Sequence, residues 1–308
     1  MRGGTLWSQQ AYLKASNTDA NDGFGQSVSI SGDTLVVGAW NETSAATGVN
    51  GNQADNNSPL AGAAYVFARS GGTWTQQAYL KADSHAYNSA LNSQSLGFGY
   101  SVSISGDTVV VAAPLAGLLI NNNANAYNAD KVFVFTRSAA GAWTQQAAIP
   151  APDVNPNYLG AFGLSVAVSG ETLVIGDPCS QSSFGRAVVY TRTPAGAWLL
   201  QGTLNIDPGN LFNPGSGYGY AVALSGETAV SAAGGASEDQ GFDYYIKGNN
   251  RAQIFTGVSL PRMSVEQPAG SVIASGGART VRRAEAHRRS EAHAAQRSRC
   301  GRAIAPES

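Results

Sequence analysis

Charge is scarce in this sequence: Asp, Glu, Lys and Arg make up 13% of the 308 residues, and the polar surface is written mostly in Asn, Ser, Thr and Gln. Cysteine is scarcer still. Cys179 and Cys300 lie in segments of different character, which excludes a disulfide framework. No run of 18 apolar residues exists, so no helical membrane span is expected. The first residues, Met1-Arg2-Gly3-Gly4-Thr5, lack the apolar core of a secretion signal, and export would need a signal not seen here. His85 is the only histidine before residue 258, so no Ser/His/Asp or Cys/His set can be assembled. Paired carboxylates brought together from separate loops stay open as a catalytic arrangement.

Glycine, by contrast, is abundant: 37 residues, in a chain with many Asn. Both residues supply the backbone angles that tight turns need, which suits an all-β protein. The net charge of −1 hides an asymmetry. Residues 1–278 carry 11 basic and 17 acidic groups, whereas 279–308 carry 8 basic and 3 acidic. The acidic main body gives no reason to expect nucleic-acid binding.

A repeat dominates the chain. Gly23-Phe24-Gly25-Gln26-Ser27-Val28-Ser29-Ile30-Ser31-Gly32-Asp33-Thr34, continuing Leu35-Val36-Val37-Gly38-Ala39, returns with few changes from Gly97 to Ala113. It returns again from Ala161 to Asp177, and more loosely from Gly217 to Ala233. A second unit follows each copy: an apolar run such as Ala64-Tyr65-Val66-Phe67, a glycine turn, and then, in the first three copies, a Trp strand such as Trp74-Thr75-Gln76-Gln77. The motif aromatics Phe24, Phe98, Phe162 and Tyr218 are spaced 74, 64 and 56 apart, so the copies differ by loop insertions.

Each copy reads as four strands. The first alternates small polar and β-branched residues, and a Gly-Asp or Gly-Glu pair forms a two-residue hairpin turn after it. The second and third are continuously apolar, which implies burial on both faces. A sheet buried on both faces must lie between neighbouring sheets. Radial stacking of four such blades, a β-propeller, accounts for the repetition, which a two-sheet sandwich does not.

The motif Gly-Phe-Gly-x-Ser-Val, followed by Val-Val-Gly-Ala or Val-Ala-Ala-Pro, resembles the FG-GAP repeat of the integrin α-subunit family, in a bacterial type, over about residues 5–257. The resemblance implies a propeller whose blades span about 15–81, 82–148, 149–204 and 205–257. Trp7-Ser8-Gln9-Gln10-Ala11-Tyr12-Leu13-Lys14 matches Trp74 to Lys81, so 5–14 is expected to complete the last blade and close a ring. The rival reading is a fragment of a longer array, since similar family members often have about seven blades.

Integrin-like repeats carry a calcium loop of the type Asp-x-Asp-x-Asp-Gly between strands one and two. Here that connection is shortened to Ser31-Gly32-Asp33-Thr34 and its equivalents, and one carboxylate cannot supply the six to eight oxygens that Ca²⁺ takes. Asn17-Thr18-Asp19-Ala20-Asn21-Asp22-Gly23 is oxygen-rich but reads better as an Asn/Asp turn. No cofactor and no metal site is expected.

Within a blade, the short turns share one end and the long connections share the other. The long ones are 40–61, 114–130 and 233–249 within blades, and 82–96, 149–160 and 205–216 between them. Long loops on a rigid scaffold are the usual place for recognition. On that face Glu238, Asp239 and Asp243 with Tyr244 and Tyr245 form an acidic, aromatic cluster able to stack on and hydrogen-bond a sugar or peptide, against the plainer reading of a solvated loop. Trp40 joins them as a candidate, against the plainer reading of a packing residue. The other four tryptophans recur at one blade position and read as structural. Cys179 reads as an inert thiol, and Asn41-Glu42-Thr43 is a glycosylation sequon by pattern.

Residues 258–277 read as a linker or the start of a truncated domain. Residues 278–308 turn to Arg, Ala, Glu and His with no aromatic residue, and a disordered basic tail is expected there, a nucleic-acid or membrane arm being the alternative. The expected function is a non-catalytic binding or adhesion module, recognising an unknown protein or glycan partner through the long loops. Secreted or cell-surface location within a longer multidomain chain is expected with it. A propeller enzyme acting on polysaccharide and a structural spacer are the alternatives.

Overall fold

A computed structural model describes residues 2–3, 6–54, 56–83, 97–114, 130–152, 161–178, 180, 185–204, 218–233 and 252–256. The expected linker and tail, 258–308, lie outside this set, as do His85, Cys179 and most of each long connection except 40–61.

The described residues are all β, in the arrangement of a four-bladed propeller. A short hairpin comes first, β1 (Arg2–Gly3) with β2 (Leu6–Trp7). Blade one is β3 (Phe24–Ser31), β4 (Thr34–Ala39), β5 (Ala63–Ser70) and β6 (Thr73–Leu80). Blade two is β7 (Ser101–Ser105), β8 (Thr108–Ala113), β9 (Lys131–Arg137) and β10 (Trp143–Pro150). Blade three is β11 (Val166–Ser169), β12 (Thr172–Asp177), β13 (Arg186–Arg192) and β14 (Trp198–Leu204). Blade four is β15 (Tyr218–Ser225), β16 (Thr228–Ala233) and β17 (Ala252–Thr256). Every blade is an antiparallel meander in chain order, which puts the first and third connections at one end and the second at the other.

The hairpin after each inner strand follows from its glycine. Gly32, Gly106, Gly170 and Gly226 all hold φ between 55° and 57°, the first position of a primed two-residue turn, where a side chain would be strained. In the first three blades its acidic residue is held by an arginine at the end of the third strand. Arg69 Nε donates to Asp33 at 2.7 Å, Arg137 Nε to Asp107 at 2.7 Å, and Arg192 lies 3.4 Å from Glu171. Arg69 and Arg137 also stack over Trp74 and Trp143 of their own blades, each 5.3 Å from the ring centroid. In the three complete blades a β-bulge interrupts the pairing of strands three and four, adding twist at the outer strand.

Alternation along the inner strand decides what faces what. Val102 and Ile104 point back and join Val36, Val66 and Leu80 of blade one in a common core. Val166 and Val168 do the same against Val110 and Val134 of blade two, and Val222 and Leu224 against Val174 and Val189 of blade three. The serines between them point forward, to the next blade. Ser29 Oγ accepts from Ile104 N and Ser31 Oγ from Gly106 N; Ser101, Ser103 and Ser105 accept from Val166 N, Val168 N and Gly170 N; Ser169 accepts from Gly226 N. Each inner strand is a sheet edge with unpaired amides, and hydroxyls of the preceding blade satisfy them in blades two and three and at the turn of blade four. Ser-x-Ser-x-Ser is thus an inter-blade ladder, not a solvent face.

The motif glycines let the blades approach. A Cβ on Gly38 would fall on the Gly99 carbonyl, and one on Gly99 would fall on the Ala63 carbonyl. The motif aromatics Phe98, Phe162 and Tyr218 are fully buried behind these contacts.

Among the described residues blade four has three strands, and Leu6–Trp7 pairs with Arg2–Gly3, leaving Trp7 82% exposed. Trp7 therefore lacks the packing of Trp74, Trp143 and Trp198. Instead, Gln10 accepts hydrogen bonds from Arg69 and Trp74, and Leu13 and Ala15 pack over blade one beside Tyr65 and Phe67.

Candidate functional site

The inner strands all start at the end that carries the long connections, and the variable residue of Gly-aromatic-Gly-x comes just before or within the start of each. The four positions hold Gln26, Tyr100, Leu164 and Tyr220. Trp40, the first residue after β4, belongs to the same end. Its ring meets Tyr100 edge-on, centroids 6.4 Å apart and planes at 69°, a favourable arrangement of ring quadrupoles. Tyr220 is exposed. Burial raises the Tyr100 phenol above its ordinary range, and Tyr220 on blade four raises it further. The Tyr100 phenol stays neutral at physiological pH, able to donate and accept hydrogen bonds beside the half-buried indole. Trp40, Tyr100 and Tyr220 thus form an aromatic group at the loop end of the inner strands.

Trp40 packs as well as presents. Its indole lies over Gly23, where a Cβ would meet Nε1 at 2.8 Å. Asn41 is tied down beside it: its amide donates to the Asp22 carbonyl at 3.1 Å and its side chain to the Asn21 carbonyl at 2.7 Å. The sequon asparagine is therefore engaged in a turn.

The 40–61 connection is not a free loop. It folds back onto blade one around a buried ion pair, Lys81 Nζ to Glu42 Oε2 at 2.7 Å. Lys81 also donates to the Ser44 carbonyl at 2.8 Å, and Glu42 Oε1 accepts from Asn17 at 2.9 Å and from Ser44 N at 3.2 Å. Beneath it Tyr65 OH donates to Asn17 Oδ1 at 2.7 Å, and Tyr79 OH shares a 2.5 Å hydrogen bond with Ser44. Burial drives both phenols far above their ordinary range, and the Glu42 charge adds to this in each. Burial takes Tyr218 up to about 12, against a lowering contribution from Ser231.

The oxygen-rich stretch 17–23 is absorbed into the same network. Asp22 accepts the Asp19 amide at 3.1 Å, and Asn56 donates to Asp19 at 2.9 Å. The Asp22 carboxyl is raised above the usual carboxylate range, first by burial, with Glu42 and Asp19 adding to it. Among the described residues no group of three or more His, Cys, Asp or Glu is arranged around a metal-sized space.

Of the residues expected at the binding face, Trp40 stands at the loop end. Glu238, Asp239, Asp243, Tyr244 and Tyr245 lie outside the described residues. Tyr100 and Tyr220 were not anticipated. Their signal is a comparison across copies: the x of Gly-aromatic-Gly-x is aromatic in two copies of four.

The FG-GAP repeat profile matches residues 7–67, 74–135 and 143–190, together more than half of the chain. No curated protein sequence matches it. Among solved structures, a periplasmic gluconolactonase of Pseudomonas aeruginosa is similar at 16% identity and a TM-score of 0.40, over 85% of this chain. The chain spans 62% of the length of that protein.

Proposed function

The chain belongs to the FG-GAP repeat family, and from that premise we propose that it is a non-catalytic binding or adhesion module of a secreted or cell-surface protein. It recognises a protein or glycan partner at the loop end of the blades. One observation carries this reading: Trp40, Tyr100 and the exposed Tyr220, from blades one, two and four, gather at that end. A rigid scaffold presenting several aromatic faces with polar tips suits a ligand that is apolar on its faces and hydroxylated at its edges.

The test is binding by the full chain on glycan and peptide arrays, followed by titration of any hit. Tyr220→Ala should weaken binding about tenfold, the loss of one stacked ring, with an unchanged melt because Tyr220 is exposed. Product release from a bound polysaccharide would overturn the non-catalytic reading. Silence on every array, with Tyr220→Ala equally silent, would overturn the binding reading in favour of a spacer.

A further inference from the structure

Two faces of the described blades lie open and match each other. Val28 and Ile30 occupy the positions of Val102 and Ile104, yet they are 63% and 60% exposed where their counterparts are 7% and 6%. Gly25 makes the same point: a Cβ there would meet nothing within 4 Å, whereas one on Gly99 or Gly219 would fall on the preceding blade. At the far end Ile254 is 71% exposed. It sits where Val66 of blade one and Val134 of blade two are fully buried against the next blade.

Their outlines also agree. The outer part of the blade-one face is covered by its own chain, through Leu13, Ala15 and Ala46, and only the inner part lies open. Among the described residues blade four presents an inner and middle face, β15 to β17. It fits the uncovered part. The ladder has a matching rung: Ser225 holds the place of Ser31, Ser105 and Ser169, each of which accepts the turn glycine amide of the next blade. Gly32 is the turn glycine of blade one.

We propose that a second copy of this chain covers these faces, blade four of one copy docking on blade one of the other. The contact resembles the blade-three to blade-four interface, where Ala167 likewise replaces a ladder serine while Ser165 and Ser169 bond across. It is heterologous, one face against a different one, so two copies close a ring through two such contacts or continue as an open chain.

Sedimentation of the full chain over a range of concentrations tests this. Wild type should associate with rising concentration. Ile30→Glu and Ile254→Glu, each placing a charge in one face only, should each raise the dissociation constant about tenfold or more. Both positions are exposed in the single chain, so the melts should hold; Val28→Glu serves as a second probe of the first face. An equimolar mixture of the two Glu variants retains one intact pair of faces and should give a 1:1 dimer that neither variant forms alone. Wild type that stays monomeric throughout would overturn the proposal, as would association that both variants leave unchanged, or a mixture that fails to dimerise while wild type does.

Discussion

Blade one is most sensitive to change at a few buried polar groups. Lys81 and Glu42 are both fully enclosed, and each is fully engaged by the other and by Ser44 or Asn17. Such a pair adds little over an apolar core but becomes costly once halved. Lys81→Met should therefore cost about 3–5 kcal/mol in a denaturant melt, because it strands the Glu42 carboxylate. A loss below about 1 kcal/mol would mean that water reaches the pair. Asp22 makes a prediction about pH. Its folded-state pKa is raised, chiefly by burial, so the folded chain holds the proton more tightly than the unfolded one. The resulting stabilisation is full below the ordinary aspartate range and fades as pH rises through the raised value. Asp22→Asn removes that component: its melting temperature should fall less than wild type's between acid and neutral pH. Parallel curves for the two proteins would contradict the assignment.

Strands and turns were the legible part of the sequence, because repetition supplies what one copy cannot. Ser31-Gly32-Asp33-Thr34 could be a loop anywhere; four versions between the same two strands make a hairpin, and the shared φ near 56° bears it out. The inter-blade role of Ser29 and Ser103 was not legible, since a serine alternating with valine reads equally as a solvent-facing residue. Its partner amide lies 75 residues away in the one case and 65 in the other. The 40–61 connection shows a second limit. Length suggested a recognition loop, but Glu42 and Lys81, 39 residues apart, pin it to the scaffold, and no period announces such a pair. Trp7 shows a third: a strand sequence forms a blade strand only where a partner strand is beside it. At this scale Gly38→Ala is informative. Gly38 has an ordinary backbone, so the cost is purely steric, its Cβ falling on the Gly99 carbonyl. Blade two carries Ala112 there, with blade three set to accommodate it, so Gly38→Ala should cost about 1–3 kcal/mol in a denaturant melt rather than abolish folding.

At the scale of the whole molecule, four sheets become one body because each turns its valines back and its serines forward. That polarity gives the array two different ends and one loop-bearing rim, where Trp40, Tyr100 and Tyr220 gather from three blades. The rim was only partly legible: topology indicated the face, Trp40 was visible as an unusual residue, and the two tyrosines emerge only once the copies are superposed. The ladder itself admits the most direct test, residue-resolved hydrogen exchange in dilute solution. The Ile104 and Val168 amides, bonded to Ser29 and Ser103, should exchange about tenfold or more slowly than the matching amides of Ile30, which has no preceding blade, and Leu224, which faces Ala167. Equal exchange at all four would contradict the stacking of blades through their serine hydroxyls.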